Sequence, residues 1–399
     1  MLTYQEALRK ILEHSFSLKI HSLPLREGLG QVAGKDLFAP GPFPSFDNSA
    51  VDGYAVSGEF ARKSGENFKL EIQGEVPAGE SFQGVLKPGH AVRVFTGAPV
   101  PRGTYAVVMQ EDVERMNGSV RLRRGPNAGD HIRFCGEDFH RGRVLIRKGQ
   151  SLTPAHLALL AAVGYEKVPV YPSPQVTILS TGSELLKKRE KPKLGKIHDS
   201  NTILLEALVK EGGGLPILSP TAKDDPGEIR SRVQQGFKSD LLILSGGVSV
   251  GKYDFVKEVL KKEGVKEIFW KVAIKPGKPL FFGKKGRTLV FGLPGNPVSA
   301  FVTFEEFVKP CLLKMRGSSF PEESMIQGRL TKPFQNGSRF HFVRVRCVPK
   351  RKGYAVTPLE GQGSHMIGSL ALADGLLRVE PNVKLKRNQR VLAKRIRER

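Results

Sequence analysis

From Gln175 to about Met315 the chain alternates short apolar runs with amphipathic stretches: VTILS, TILLEALVK, LPILS, PGEIRSRVQQGF, LLILS, FVKEVLKKEG, IFWKVA, LFFG, TLVFG and PVSAFVTFEEFVKPCLL. No other feature narrows the possible folds as far. Short runs that are apolar throughout suit strands covered on both faces, and the segments between them supply the covering helices. This region therefore reads as α/β, a mostly parallel sheet with helices on both sides. Open sheets of this kind bind ligands just beyond the carboxyl ends of their strands.

The flanking regions have a different texture. MLTYQEALRKILEHS is an amphipathic helix pattern, whereas residues 43–145 are dense in Gly, Pro and Val with short alternating runs such as KLEIQ, AVRVF and AVVMQ, which suits a small β domain. Helix returns in LTPAHLALLAAVG, with Thr153 as N-cap, Pro154 at the first helical position and Gly164 as the stop. A β segment between two helical ones reads as an insertion into a helical linker. Beyond Gly317 come FHFVRVRCV, YAVTPL and VLAKRIR, short strands with turns and no helix. The expected multidomain division is 1–42 with 146–173 as helical linker, 43–145 as inserted β domain, 174–317 as α/β domain and 318–399 as C-terminal β domain. Several domains are what 399 residues should hold, at roughly 100–200 residues each.

With 63 Lys+Arg against 39 Asp+Glu the formal charge is +24, while 39% apolar residues are enough for ordinary cores, so whole-chain disorder is excluded. Residues 321–399 hold 17 basic and 6 acidic residues, and 384–399 alone hold 8 against 1. Such charge attracts nucleic acid, a membrane face or a small anionic substrate. The terminal run has no interleaved aromatics and reads as a polar strand edge plus a solvated tail, so nucleic acid is not the expected partner. Cys135, Cys311 and Cys347 are widely spaced, with neither a CxxC pair nor a zinc-finger histidine interval. The N-terminal helix lacks the apolar core of a secretory signal, and no apolar run approaches the roughly 18 residues of a membrane span. A soluble cytoplasmic protein is expected.

The unusual residues follow the strands. After VTILS come Thr181, Gly182, Ser183 and Glu184; after LPILS, Asp224 and Asp225; after LLILS, Gly246, Gly247, Ser249 and Asp254; after TLVFG, Pro294, Gly295, Asn296 and Pro297. Asp225 before Pro226, three residues ahead of Glu228, has the form of a helix cap with a capping box, which leaves Asp224 as the freer carboxylate. Asn296 suits an N-cap or a ligand, and Asp254 a cap or a partner for phosphate or a divalent ion. GGVSVGK follows a strand with nearly the P-loop spacing, but Tyr253 stands where the small magnesium-binding hydroxyl is required. Anion contact through its glycine backbone survives that objection. In WKVAIKPGKP, alternation along a strand puts Lys271 and Lys275 on one face, and Pro276–Gly277 turns the chain to present Lys278. Three cations around one turn call for an anion.

FDNSAVDGYAV, FTGAPVP, STGSEL, SGGVSVG, WKVAIKPGKP, GLPGNPVS and GQGSH, in this order over essentially the whole chain, resemble the molybdopterin molybdenumtransferase family of MoeA and the gephyrin E domain. The resemblance implies an elongated homodimer whose subunit has a helical linker, an inserted β domain, an α/β molybdopterin-binding domain and a C-terminal β-barrel-like domain. It implies that adenylylated molybdopterin and molybdate react, with Mg2+ present, to molybdenum cofactor and AMP. Carried over residue by residue, it implies that Glu184, Asp224 and Asp254 are catalytic and hold magnesium against the phosphoanhydride. Asp52, Thr96, Ser249, Lys271, Lys275, Lys278, Asn296, Arg344 and Ser364 are the implied substrate-binding residues, with Lys275, Lys278, Arg344 and Ser364 around molybdate. Asp52-Gly and Thr96-Gly are also turn-forming pairs, which is the plainer reading of those two residues.

Ser183 stands where many members of that family carry Asp, and no second catalytic domain is fused, so a separate molybdopterin adenylyltransferase is the implied source of substrate. Tungstate, an oxyanion of nearly the same size, would satisfy the same residues. The competing reading is a non-catalytic molybdopterin- or nucleotide-binding scaffold with a nucleic-acid-associating tail. Three carboxylates count against it, because they repel an anion unless a metal bridges them.

Overall fold

The computed structural model describes residues 1–58, 69–186, 190–191, 193–247, 255–318 and 324–396. Two compact units emerge: Met1–Lys35, Lys148–Pro154 and Lys167–Arg399 form one, and Asp36–Arg147 with Ala155–Glu166 form the other.

The first unit contains the α/β sheet. Its strand order is Leu215–Leu218, Gln175–Ser180, Leu241–Ser245, Thr288–Leu293, Phe281–Lys285 and Lys266–Trp270. The first four are parallel and the last two pairings antiparallel. Alternate strand residues feed two cores. Val176, Ile178, Leu241, Ile243 and Phe291 pack on one face against Leu205, Leu208 and Val209 of helix Ser200–Glu211 and against Tyr4, Ala7 and Ile11 of helix Tyr4–His14. Leu179, Leu242, Leu244 and Val290 face Ile229, Val233, Val256 and Val259 on the other side. Three helices start at a local signal: Thr3 and Glu6 form a capping box, Asp199 accepts from the Thr202 N–H, and Asp225 caps a helix whose first residue is Pro226.

The last helical segment, 297–315, begins as α-helix at Pro297–Thr303, widens to a π turn over Phe304–Val308 and returns to α-helix at Lys309–Met315. Pro310 explains the widening. Its ring would strike the carbonyl four residues back, and the Lys309 N–H bonds instead to the Phe304 carbonyl, one residue further than in an α-helix. All five π-turn residues, Glu305 and Glu306 included, are buried.

Beyond this helix, strands Phe340–Pro349, Tyr354–Pro358, Met325–Leu330, Arg390–Arg395 and Gly375–Val379 close into a five-stranded barrel, with Ile274–Lys275 added in parallel beside Phe340 and His341. Arg390–Arg395 has neighbours on both sides, so the basic run supplies an interior barrel strand and not the polar edge expected from its charge. One short helix, Ile367–Ala371, lies in this region where none was expected. The first unit also holds a small antiparallel sheet, His21–Pro24, Lys167–Tyr171 and Val32–Ala33, whose strands are too short to show a period. Helix Pro154–Ala162, ahead of a left-handed Gly164, has the expected bounds.

The second unit is built on a six-stranded sheet in the order Thr104–Met109, Gly53–Ser57, His90–Val94, Lys69–Val76, Ser119–Leu122 and Val113–Met116. Gly53 is required there, since a Cβ would lie 2.2 Å from the Val108 carbonyl oxygen. No helix among the described residues is long and apolar enough to cross a membrane.

Candidate active site

After strand Gln175–Ser180 the chain goes to one side of it, at Leu215–Leu218, and then to the other, at Leu241–Ser245. The crevice at that reversal is where an open α/β sheet takes its ligand. Here the Thr181 N–H donates to the Ser245 carbonyl at 2.9 Å, and a Cβ on Gly246 would stand 2.4 Å from the Thr181 carbonyl oxygen. Asn201, second residue of its helix, donates from Nδ2 to Ser245 Oγ at 2.8 Å and to the Gly295 carbonyl at 2.7 Å. Because Gly295 O only accepts, the amide orientation is fixed. Asn201 Oδ1 and Thr181 Oγ1 are left buried without a partner. The sequence reading missed Asn201, although a polar side chain directly after the Asp199 cap, in a helix that turns apolar, could have marked it.

The carboxylates lie on the adjoining loops. Asp224 Oδ2 accepts the Ser183 N–H at 2.8 Å, and the Asp224 N–H donates to Ser183 Oγ at 3.1 Å. Glu184 folds its carboxylate back over Gly182, occupying the space a Cβ would need there. Lys196, also missed, donates to the Ser183 carbonyl. Asp225 is taken up as the helix cap, accepting the Glu228 N–H at 2.7 Å, while Glu228 accepts the Lys223 N–H instead of closing a capping box. Asp254 and Ser249 lie outside the described residues. Among the described residues no three His, Cys, Asp or Glu side chains gather as a metal site. Two carboxylates on facing loops suit a hard cation such as magnesium in kind, as oxygen donors.

The lysines separate. Lys271 takes a left-handed backbone, φ 76°, and sets its ammonium 3.9 Å from the centre of the Trp270 ring, which also carries Lys257 at 3.9 Å. Strand alternation is therefore broken at Lys271, and the expectation that Lys271 and Lys275 share a strand face is corrected: Lys275 belongs to a separate strand on the barrel, paired with His341. Gly277, at φ 107°, makes the expected turn. Lys275 and Lys278 are exposed on either side of it.

Arg344 is 1% exposed. One of its amino groups donates to the Gly361 and Gly363 carbonyls at 2.8 and 3.2 Å, so it braces the loop that carries Ser364. Its Nε and other amino nitrogen are buried and unpaired. The Ser364 carbonyl accepts the Val298 N–H at 3.2 Å, anchoring that loop on the start of helix Pro297–Thr303. Asn296 stands at the N-cap position with no side-chain cap bond. His341, between these groups, is held neutral: burial, then the charges of Lys275, Arg344 and Arg339, push its pKa down to about 4. In the second unit Asp52 Oδ1 accepts from the Thr96 N–H at 2.8 Å and its hydroxyl at 2.7 Å, bonds that hold the carboxyl below its usual range.

Comparison with known proteins adds three matches along the chain. The MoeA N-terminal region (domain I and II) matches residues 2–164, a probable molybdopterin binding domain matches 177–314, and the MoeA C-terminal region (domain IV) matches 327–394. The chain is 36% identical over 397 residues to a molybdopterin molybdenumtransferase 2 of Mycobacterium tuberculosis, covering 96% of each. It is 41% identical over 324 residues to the molybdopterin molybdenumtransferase of Haemophilus influenzae, covering 79% of this chain and 78% of the relative. The crystal structure of a molybdopterin biosynthesis MoeA protein from Pyrococcus horikoshii is similar throughout, with a TM-score of 0.86, 31% identity and all of both chains covered.

Proposed function

We propose that this chain, which belongs to the MoeA family of molybdopterin molybdenumtransferases, makes molybdenum cofactor from adenylylated molybdopterin and molybdate with release of AMP. The observation that carries the reading is the pairing of two chemistries in one unit. Carboxylates Glu184 and Asp224 stand at the strand ends, and the Lys275–Lys278 turn stands with Arg344 and the Ser364 loop on the barrel side. Phosphoanhydride cleavage and oxyanion delivery need these two sets.

Glu184 and Asp224, with Asp254, would hold Mg2+, which when bound neutralises phosphate charge and polarises the anhydride. Lys275, Lys278 and the unpaired guanidinium nitrogens of Arg344 offer charge and N–H donors to a doubly charged oxyanion, and Ser364 adds a hydroxyl. Asn201 Oδ1 accepts a donor from the bound substrate and so selects its orientation. No protein nucleophile is required, because the dithiolene sulfurs of the substrate take the metal.

Leu215, Ile217 and Leu218 of the sheet's edge strand and Ile203 of the adjoining helix are all exposed, which favours a homodimer through that edge. A separate molybdopterin adenylyltransferase is the proposed source of the adenylylated substrate. The deciding experiment incubates the protein with adenylylated molybdopterin, magnesium and molybdate and follows AMP. Release that depends on molybdate supports the enzyme. Binding without release would favour the scaffold reading.

A further inference from the structure

The helix 297–315 touches two loops of the oxyanion side of the site. Its first turn receives the Ser364 carbonyl through the Val298 N–H. Further along, the Thr303 methyl lies against Gly277, 2.6 Å from where a Cβ would stand, so the lysine turn rests directly on the helix. Its π turn then points Glu306, 1% exposed, into a ring of donors from three other elements. Tyr4 Oη of the N-terminal helix donates at 2.8 Å, Arg378 at 2.6 Å from strand Gly375–Val379, and Lys394 at 3.1 Å from strand Arg390–Arg395. Lys394 also donates to the Glu305 carbonyl at 3.0 Å. Arg378 pairs with Phe342 on the neighbouring strand, and Leu376 on the same strand pairs with Arg344.

From this arrangement we infer that Glu306 is a positioning residue: through Arg378 and Lys394 it sets the barrel on the helix so that Arg344 and Ser364 meet Lys275 and Lys278 in one oxyanion site. The physical grounds are directional. A buried apolar contact tolerates sliding, but a buried carboxylate with three charged or hydroxyl donors has one low-energy arrangement, and loss of register leaves uncompensated charge. Both consecutive carboxylates lie inside on a π turn, and such turns recur at functional sites. The inference also gives the basic C-terminal run a purpose, since Lys394 is its buried member. It rests on the oxyanion reading of Lys275, Lys278, Arg344 and Ser364 given above.

The test uses the full-length protein in three forms: wild type, Tyr4→Phe, and the double variant Glu306→Gln with Lys394→Met, which removes one charge of each sign, keeps an amide oxygen to accept from Arg378 and leaves Glu305 paired with Lys309. Two readouts are taken, the molybdate concentration for half-maximal AMP release and hydrogen exchange at the amides of 275–280 and 361–366. The double variant is expected to need roughly tenfold to a hundredfold more molybdate, as for misplaced binding groups, with the maximal rate and AMP affinity kept. Tyr4→Phe should shift in the same direction by less, and both should exchange faster at the two loops. A double variant that melts like wild type and keeps both molybdate dependence and loop exchange would overturn the inference. Should the double variant not fold, unchanged molybdate dependence and loop exchange in Tyr4→Phe would do the same. Wild-type turnover indifferent to molybdate would instead remove the oxyanion reading, and loop exchange would still report whether Glu306 sets the register.

Discussion

Ser183 and Asp224 hold each other by reciprocal hydrogen bonds, Ser183 N–H to the Asp224 carboxylate at 2.8 Å and Asp224 N–H to Ser183 Oγ at 3.1 Å. The loops after two adjacent parallel strands are thereby tied, and Glu184 is carried on one of them. Asp224 has two jobs open to it, bracing the loop and supplying charge, and two substitutions separate them. Asp224→Asn keeps an oxygen to accept the Ser183 N–H but loses the charge. Asp224→Ala loses both. If charge is the function, AMP release falls by roughly a hundredfold or more in each. Near-normal release by Asp224→Asn would mean that the carboxylate only braces the loop.

This pairing also marks the limit of what the sequence discloses. The α/β region was legible because apolar runs buried on both faces leave an unambiguous pattern, and its strand ends pointed to Glu184, Asp224 and the glycine loop. Asp225 could be set aside from the cap signal alone, and the structure finds it capping. Lys271 could not be placed, since its left-handed backbone ends the strand whose alternation was used to orient it. Arg344 was found by resemblance, but its bracing of Gly361 and Gly363 depends on a barrel closed between strands distant in sequence. Charge misled at the C-terminus: composition reports that Lys394 is basic and not that two glutamates of a π turn are buried beneath it.

Acid should weaken the protein through His341. Its folded pKa, about 4, lies below the ordinary 6.5, so between these values the unfolded chain binds the proton and the native state does not. Stability is therefore undiminished by this group above pH 6.5, is lost as pH falls toward 4, and changes no further below it. The full loss is on the order of 3 kcal/mol. Denaturant unfolding of wild type and His341→Gln between neutral and mildly acid pH checks it. An equal acid slope in both proteins would show that other groups control it.

Gly277→Ala should injure the lysine turn twice over. The backbone sits at φ 107°, and the new Cβ would stand 2.6 Å from the Thr303 methyl carbon. Thr303 cannot swing away, because its hydroxyl is bonded to the Ser299 and Ala300 carbonyls at 2.7 and 3.1 Å inside the helix. The expected cost is about 1–3 kcal/mol, with a higher molybdate requirement as Lys275 and Lys278 shift. Adding Thr303→Ser removes the methyl and keeps the hydroxyl, so calorimetry of the pair should show partial recovery. No recovery would assign the cost to the backbone and to Ile274, whose Cδ1 would stand 3.0 Å from the same Cβ.

Removal of the C-terminus should separate its charge from its structure. A chain ending at Gln389 lacks Arg390–Arg395, the strand between Met325–Leu330 and Gly375–Val379. It opens the barrel and leaves Glu305 and Glu306 without Lys394. Such a loss cannot be confined to a surface, and the expected result is an unfolded or aggregated C-terminal domain with no AMP release. Lys386 and Arg387, by contrast, are exposed, and changing both to Gln takes away two of the run's positive charges while sparing the strand. That variant should unfold within about 0.5 kcal/mol of wild type and release AMP normally. Reduced AMP release at unchanged stability would show that the exposed charge acts in its own right, and salt-dependent nucleic-acid binding lost in this variant would revive the tail as a binding element. Normal turnover without such binding would show that Lys386 and Arg387 are dispensable and that the run serves through residues inside the strand, Lys394 among them.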